Sequence, residues 1–544
     1  MAKLTAEALE NLESEYARTH RERSWVRVGM STCGIAAGAE PVYKVLCEEV
    51  RKRALDVDVQ RTGCLGKCHA EPLVEVNVAG APRVLYGEVG VDAALRILDQ
   101  HVEKGTVLSG MVVPTEHEGI LEGQEVPRLG KQLRIVLRNC GIVDPSKIED
   151  YIARGGYKGL KRALFDLGPE GVLEEFRIAG LRGRGGAGYP TWLKWKLTRE
   201  TEAAEKYMIC NGDEGDPGAY MDRSVLEGDP HSAIEGMLIG AYAIGAQQCY
   251  FYIRAEYPLA VDRVEAAIKQ ARRMGLVGKS ILGTDFSCDM EVRLGAGAFV
   301  CGEETALIAS LEGLRGTPRP RPPYPAQRGL WGMPSNINNV ETLANAGPIA
   351  AHGGKWFASI GTKESKGTKV FAVTGKVRHS GLVEIPMGTT LREIVMDICG
   401  GTVGGKRIKA VQTGGPSGGV IPETAFDTPV SYESLQELGS IMGSGGLIVM
   451  DEDDCMVDIA KFYVGFCVEE SCGKCAPCRV GGKQMELLLE KISARKATAP
   501  DIVELRRICH AMQKASLCGL GQTAPNPVLS TLRYFENEYE ALLS

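Results

Sequence analysis

Along residues 25–102 the apolar positions change their spacing several times. WVRVGM, VDVQRTGC, LVEVNVAG and PRVLYGEV place apolar side chains at alternate positions, whereas EPVYKVLCEEVRKRAL and DAALRILDQHV repeat them at intervals of three and four. Alternation turns one side of a strand toward a core, and the longer interval lays an apolar stripe along a helix. Residues 26–105 therefore predict a small α/β unit, preceded by a polar helix within 1–25. Residues 106–140 read as a linker containing a hairpin. Over 141–365 helices alternate with strands through glycine-rich loops. Residues 366–430 read as a β-rich unit, with KVFAVTGKV, GLVEIP and KAVQTGG as strands and TTLREIVMDIC as its helix. From 431 to 544 helical spacing dominates in MELLLEKI, IVELRRICHAM and LSTLRYFENEYEALL. The expected fold class is multidomain α/β.

Length agrees with that division, since 544 residues exceed one hydrophobic core and call for roughly three to five domains. The longest apolar stretch, Gly236 to Ala246, is closed by Glu235 and Gln247. It suits a buried helix rather than a membrane span of about 20 residues. The first residues are charged throughout and have no apolar h-region, so we expect no signal peptide and a cytoplasmic chain. The net charge of −6 comes without any basic block, which argues against a nucleic-acid partner. TPRPRPPYPAQ cannot form a helix or central strand and should run extended over a surface.

Seventeen cysteines change the picture more than the charge does. A disulfide framework does not suit a cytoplasmic chain, and Cys210, Cys249, Cys288 and Cys399 sit among apolar or small residues like ordinary buried thiols. Seven fall into two groups. In ESCGKCAPCR, Cys472, Cys475 and Cys478 stand two residues apart, and Cys518 follows in SLCGLGQ. Three thiolates on one loop with a fourth from a distance suit a [4Fe–4S] cluster. Zinc is the competing reading, but its sites usually use two separated C-x-x-C pairs.

The glycines gather in GLRGRGGAGYPTWLKW and LGAGAFVCGEETALIASLEG. The first contains a formal G-x-G-x-x-G match, yet Tyr-Pro follows where a dinucleotide-binding helix should open. What is left is a bare backbone loop among Arg182, Arg184 and Lys194, suited to phosphate. CNGDEGDPGAYMDRS concentrates carboxylates, and SNINNVETLAN supplies amides at Asn338 and Asn339. Glu303 and Glu304 open a helix, where capping alone explains one acid.

These four segments and the cysteine triplet, in this order, resemble the flavin-bearing, NADH-binding subunit of respiratory complex I and its soluble relatives. Those relatives serve NAD-linked hydrogenases, NAD-linked formate dehydrogenases and electron-bifurcating complexes. The resemblance runs from about Gly155 to the C-terminus. It implies that Gly183, Arg184, Gly185, Gly186 and Lys194 hold the phosphate and ribityl chain of flavin mononucleotide (FMN). Asn211, Asp213, Glu214, Phe299, Gly302 and Glu303 would line the flavin, and Asn338, Asn339 and Thr342 would close the site. NADH would lie over the ring, its adenine near Tyr189 and Tyr324 and its ribose near Glu304 and Asp216. Residues 366–430 would be a ubiquitin-like (SLBB-type) domain, and 431–544 a helical [4Fe–4S] bundle. Partners would be further iron–sulfur, ferredoxin-like subunits and a hydrogenase- or formate dehydrogenase-type catalytic subunit. A relay scaffold that passes electrons without using NADH is the alternative.

Residues 26–105 resemble a thioredoxin-like [2Fe–2S] ferredoxin fused ahead of the flavin domain, through Cys33, Cys64 and Cys68 in STCGIAAGAEP and TGCLGKCHAEPLVEV. That family has four cysteines, and its first would fall around Arg27 to Gly29, where none stands. His69 adjoins Cys68, and Cys47 lies inside a helix. Thiol counting therefore predicts a docking module without a stable [2Fe–2S] cluster.

Overall fold

The structure, a computed structural model, describes residues 4–21, 23–114, 128–129 and 131–544. Helix α1 (Ala6–Arg21) opens the chain, but it does not belong to the small unit that follows. Leu4 and Leu9 are buried in the large central core, and the Leu4 N–H donates to Met274 O. The first sheet has the order β2–β1–β3–β4, from β1 (Trp25–Gly29), β2 (Asp58–Thr62), β3 (Val74–Asn77) and β4 (Val84–Tyr86). β1 and β2 are parallel and the other pairs antiparallel. Helix α2 (Ala39–Lys52) covers one face through Val42, Leu46 and Val50.

The expected linker holds the expected hairpin, β5 (Arg128–Leu129) with β6 (Gln132–Leu133); residues 115–127 and 130 lie outside the described residues. Its end is not a free linker. Ile135, Val136 and Leu137 are buried, and their three N–H groups donate to the Glu384 carboxylate at 2.8–2.9 Å. An apolar segment without strand pairing needs such an acceptor, because an orphaned buried N–H is costly.

The central sheet is fully parallel in the order β10–β7–β8–β9, from β7 (Tyr207–Gly212), β8 (Gln248–Arg254), β9 (Asp289–Gly295) and β10 (Ser335–Asn339). Parallel strands are covered on both faces, which explains the continuous apolar runs in YMIC and CYFYI. Around them lie α3 (Thr191–Glu200), α4 (Met221–Gly228), α5 (Pro230–Ile244), α6 (Pro258–Met274), α7 (Glu304–Leu311) and α8 (Val340–Ala344). Helix α5 is the buried helix expected from the longest apolar stretch. Among the described residues no helix is long and apolar enough to cross a membrane.

The third sheet has the order β12–β11–β15–β13–β14, from β11 (Thr368–Gly375), β12 (Gly381–Pro386), β13 (Ile408–Thr413), β14 (Gly419–Pro422) and β15 (Gly446–Asp451). Strand β15 is central, parallel to β11 and antiparallel to β13. The β-rich unit thus extends past residue 430, and its middle strand comes from the region expected to be helical. GLIVMD is a short unbroken apolar run, which periodicity cannot assign between strand and helix. The C-terminal lobe then packs α9 (Met456–Glu469), α10 (Gly482–Ser493), α11 (Ala499–Ala515) and α12 (Asn526–Tyr534) around Met485, Leu505 and Val528.

Candidate functional site

In the central sheet the chain runs outward from β7 to β8 and β9, then returns to place β10 on the other side of β7. Ligands of parallel α/β sheets bind in the crevice at such a reversal, outside the carboxyl ends of the strands. Asn211 at the end of β7 and Asn339 at the end of β10 are register partners there. A cavity of about 520 Å³ opens beside them.

Ten of the expected residues line it: Gly185, Gly186, Asn211, Asp213, Glu214, Asp216, Phe299, Gly302, Glu303 and Asn339. Asn211 fixes the acidic loop, its Nδ2 donating to Gly302 O and its Oδ1 accepting the Asp213 N–H, both at 3.0 Å. Both carboxylate oxygens of Asp213 are buried without a partner. Glu303 caps α7, accepting the N–H groups of Thr305 and Ala306 at 3.0 Å. Asn339 caps α8 and also donates to Asp222.

Eight expected residues stand outside the cavity wall. Arg184 is 0% exposed, and its guanidinium donates to Arg182 O, Thr368 O, Lys366 O and Tyr432 Oη. It pins the loop to the β-rich unit. Thr342 accepts the Arg184 N–H at 2.8 Å, and the Gly183 N–H donates to Tyr189 O at 2.9 Å. Asn338 turns inward to Trp195, Met208 and Asn336. Lys194 donates to Ile337 O and pairs with Glu304, which also meets Arg321 at 2.6 Å. Tyr189 and Tyr324 are 48% and 52% exposed.

Sequence reasoning missed the far wall, which the β-rich unit and the C-terminal lobe supply through Gly414, Tyr432, Met442, Gly443, Ser444 and Leu520. The glycine run in IMGSGG is its only signal. Ser444 Oγ donates to Asp216 Oδ2 at 2.6 Å. Gly415, at φ +56°, leaves room for that carboxyl; a Cβ there would come within 2.7 Å of Asp216 Cγ.

Burial pushes Asp213 and Glu214 up to about 7 and Asp216 up to about 6. A carboxyl raised in the folded state binds its proton more tightly there than in the unfolded chain. Its contribution to stability is then lost as pH rises from the ordinary carboxylate range of about 4 through about 7. The Tm of the FMN-free protein is accordingly expected to fall between about pH 4 and pH 7, and Asp213→Asn to flatten that slope. Parallel wild-type and variant melting profiles would show that Asp213 is not the titrating group.

Cys472, Cys475, Cys478 and Cys518 converge on one small pocket, closed by Val300, Pro318, Leu517 and Leu520. The Leu517 N–H points at Cys475 Sγ at 3.5 Å, and Ser471 Oγ lies 3.2 Å from Cys478 Sγ. Four thiols in an apolar niche with such donors fit a [4Fe–4S] cluster. Val300 and Leu520 belong to both the pocket and the cavity, so one layer of side chains separates the two. Asp213, a lining residue whose two carboxylate oxygens have no partner, fits the hydroxyls of a ribityl chain, and Gly185 and Gly186 offer bare backbone to a phosphate.

Cavity, thiol pocket and shared wall define an oxidoreductase subunit that carries FMN and an iron–sulfur cluster. Residues 176–347 match the Nuo51 FMN-binding domain, 458–542 the iron-sulfur binding region of NADH-ubiquinone oxidoreductase-F, and 370–421 the SLBB domain. The chain belongs to the family of NADH-binding flavin subunits that includes the F-type component of NADH-quinone oxidoreductases. It is 55% identical over 411 residues to the NADP-reducing hydrogenase subunit HndC of Solidesulfovibrio fructosivorans, covering 76% of this chain and 84% of that one. It is 42% identical over 407 residues to an F-type component of the NADH-quinone oxidoreductase of Rhizobium meliloti (strain 1021), covering 75% and 97%. The crystal structure of a NAD+-reducing [NiFe]-hydrogenase in the H2-reduced state matches with a TM-score of 0.68 and 31% identity, over 99% of this chain and 90% of that one.

Proposed function

We propose that the chain is the NADH-oxidising or NAD-reducing module of a hydrogenase- or formate dehydrogenase-type complex. The shared Val300–Leu520 wall carries this reading, because it sets a nucleotide-sized cavity directly against a four-thiol pocket. FMN, when bound, accepts or returns a hydride and exchanges electrons singly with the cluster side. The chain's own residues align the reactants rather than supply an acid or base. Gly185, Gly186 and Asp213 would hold the flavin tail, with Phe299, whose N–H is held by Glu470 of the C-terminal lobe at 2.6 Å, as a further wall of the cofactor site. Val300 and Leu520 keep water out of the gap. The arrangement further supports a thioredoxin-like unit over 26–105, an FMN and NADH domain over 141–365, a ubiquitin-like unit beginning near 366 and a helical cluster domain ending at 544.

Nucleotide choice follows from the acids. Lys194 and Arg321 neutralise Glu304, which leaves Asp216 to repel a 2′-phosphate. Anaerobic titration at about pH 8 should bleach the flavin with NADH and then raise a [4Fe–4S] resonance, with kcat/KM favouring NADH over NADPH at least tenfold, ~1.4 kcal/mol. Asp216→Asn should narrow that ratio. A flavin untouched by either nucleotide would remove the module from NADH chemistry, and equal use of both would take Asp216 away from the ribose.

A further inference from the structure

The C-terminal site uses four of the seven grouped cysteines; the other three meet at a second place. Cys64 and Cys68 flank the loop after β2 with their sulfurs 3.6 Å apart, and Cys33, on the short helix Thr32–Ala36, touches Cys68. The trio sits where the N-terminal unit meets the flavin domain. Tyr220 Oη donates to Cys68 Sγ at 3.5 Å, the Arg223 guanidinium lies 3.6 Å from Cys33 Sγ, and the Gly66 N–H donates to Cys64 Sγ at 3.3 Å. A phenol, a cation and a backbone N–H are thus all aimed at sulfur.

A [2Fe–2S] cluster needs a fourth ligand. His69 adjoins Cys68; its Nδ1 lies 3.1 Å from Ser380 O and its ring packs on His379 with centroids 4.8 Å apart, which holds the ring against the β-rich unit. Cys47 belongs to α2, beside Tyr43. Glu71 stands three residues after Cys68, and its carboxyl lies against Gly34, the chain neighbour of Cys33. Glu71 Oε2 accepts the Leu73 N–H at 3.0 Å, while Oε1 is buried with no partner. The same carboxyl fills the space at the end of β1. A Cβ on Gly29 would come within 3.2 Å of Oε2, and one on Gly34 within 3.1 Å. Gly29 lies in the stretch that lacks the first of the four family cysteines. An unpaired buried carboxylate oxygen is expensive unless something binds it.

We propose that Glu71 is the fourth ligand of a [2Fe–2S] cluster held by Cys33, Cys64 and Cys68. This replaces the expectation of a cluster-free docking module, which rests on counting thiols. The carboxylate oxygen Oε1 takes the position of the missing sulfur, and Arg223 and Tyr220 bring the centre against α4, whose Asp222 lines the flavin cavity.

The test uses the full-length Cys475→Ala chain, so that the C-terminal cluster does not mask the signal, reconstituted with iron and sulfide under anaerobic conditions. About two irons and two acid-labile sulfides per chain are expected, with the resonance of a reduced [2Fe–2S] centre. Glu71→Ala should lose most of that iron while keeping its flavin and its circular dichroism. Glu71→Cys should retain the iron and shift both the g-values and the visible absorption toward an all-thiolate centre, which keeps the idea testable should the alanine variant misfold. Unchanged spectra in Glu71→Cys, a chain that takes up no iron, or a single zinc in place of iron would each overturn the assignment.

Discussion

Cys475→Ala, in the otherwise unaltered chain, is expected to abolish the [4Fe–4S] resonance and to cut electron delivery to any partner to background, while NADH still bleaches the flavin. Its sulfur is one of four converging on the pocket beside Val300 and Leu520, and the Leu517 N–H is directed at it. Its loss strips one iron of the cubane of its thiolate. The flavin should survive because the Gly185–Gly186 loop, the acidic loop and Asn339 all lie outside the C-terminal lobe. The C-terminal lobe contributes only Gly519, Leu520 and Thr523 to the cavity. Iron content, resonance spectrum and flavin absorbance on one preparation check this. Unaltered iron and signal would reassign the ligand, and joint loss of flavin would mean that the lobe and the sheet fold as one unit.

What can be read from the sequence divides along a physical line. The cysteine triplet, the acidic loop after Asn211 and the helix start at Glu303 are legible, because each depends on residues close together in the chain. Groups that act through distant backbone are not. Arg184 resembles a phosphate ligand by its glycine neighbours, yet its acceptors come from residues 366, 368 and 432. β15 is hidden in an apolar run without alternation, and its insertion between β11 and β13 is what brings the Met442–Ser444 loop over the cavity. Glu71 carries no signal in the sequence beyond its place before proline. Only the placement of β1 against it shows that one of its oxygens has nothing to bind.

Arg184 supplies the second large effect. Arg184→Ala would leave the buried Thr368 carbonyl, and the half-buried carbonyls of Arg182 and Lys366, without their guanidinium donor, at about 1–3 kcal/mol for the buried acceptor if it finds no other partner. Tyr432 Oη, which donates to Gly183 O at 2.9 Å, would lose its guanidinium neighbour as well. The loop carrying Gly185 and Gly186 would then come away from the β-rich unit, which it meets in a bridge between Gly186 and Gly443. Flavin content as purified is expected to fall at least tenfold, ~1.4 kcal/mol, with a clear drop in Tm. The informative variant is Arg184→Lys. A lysine keeps the positive charge but presents one compact ammonium in place of a planar fork, so it cannot reach acceptors on several sides. If Arg184 acts by clamping the loop, lysine rescues neither Tm nor flavin. If its charge attracts the phosphate, lysine restores flavin binding and the FMN affinity becomes steeply salt-dependent. Flavin content, melting temperature and the salt dependence of FMN rebinding separate the two roles, and full rescue by lysine would return Arg184 to the phosphate site.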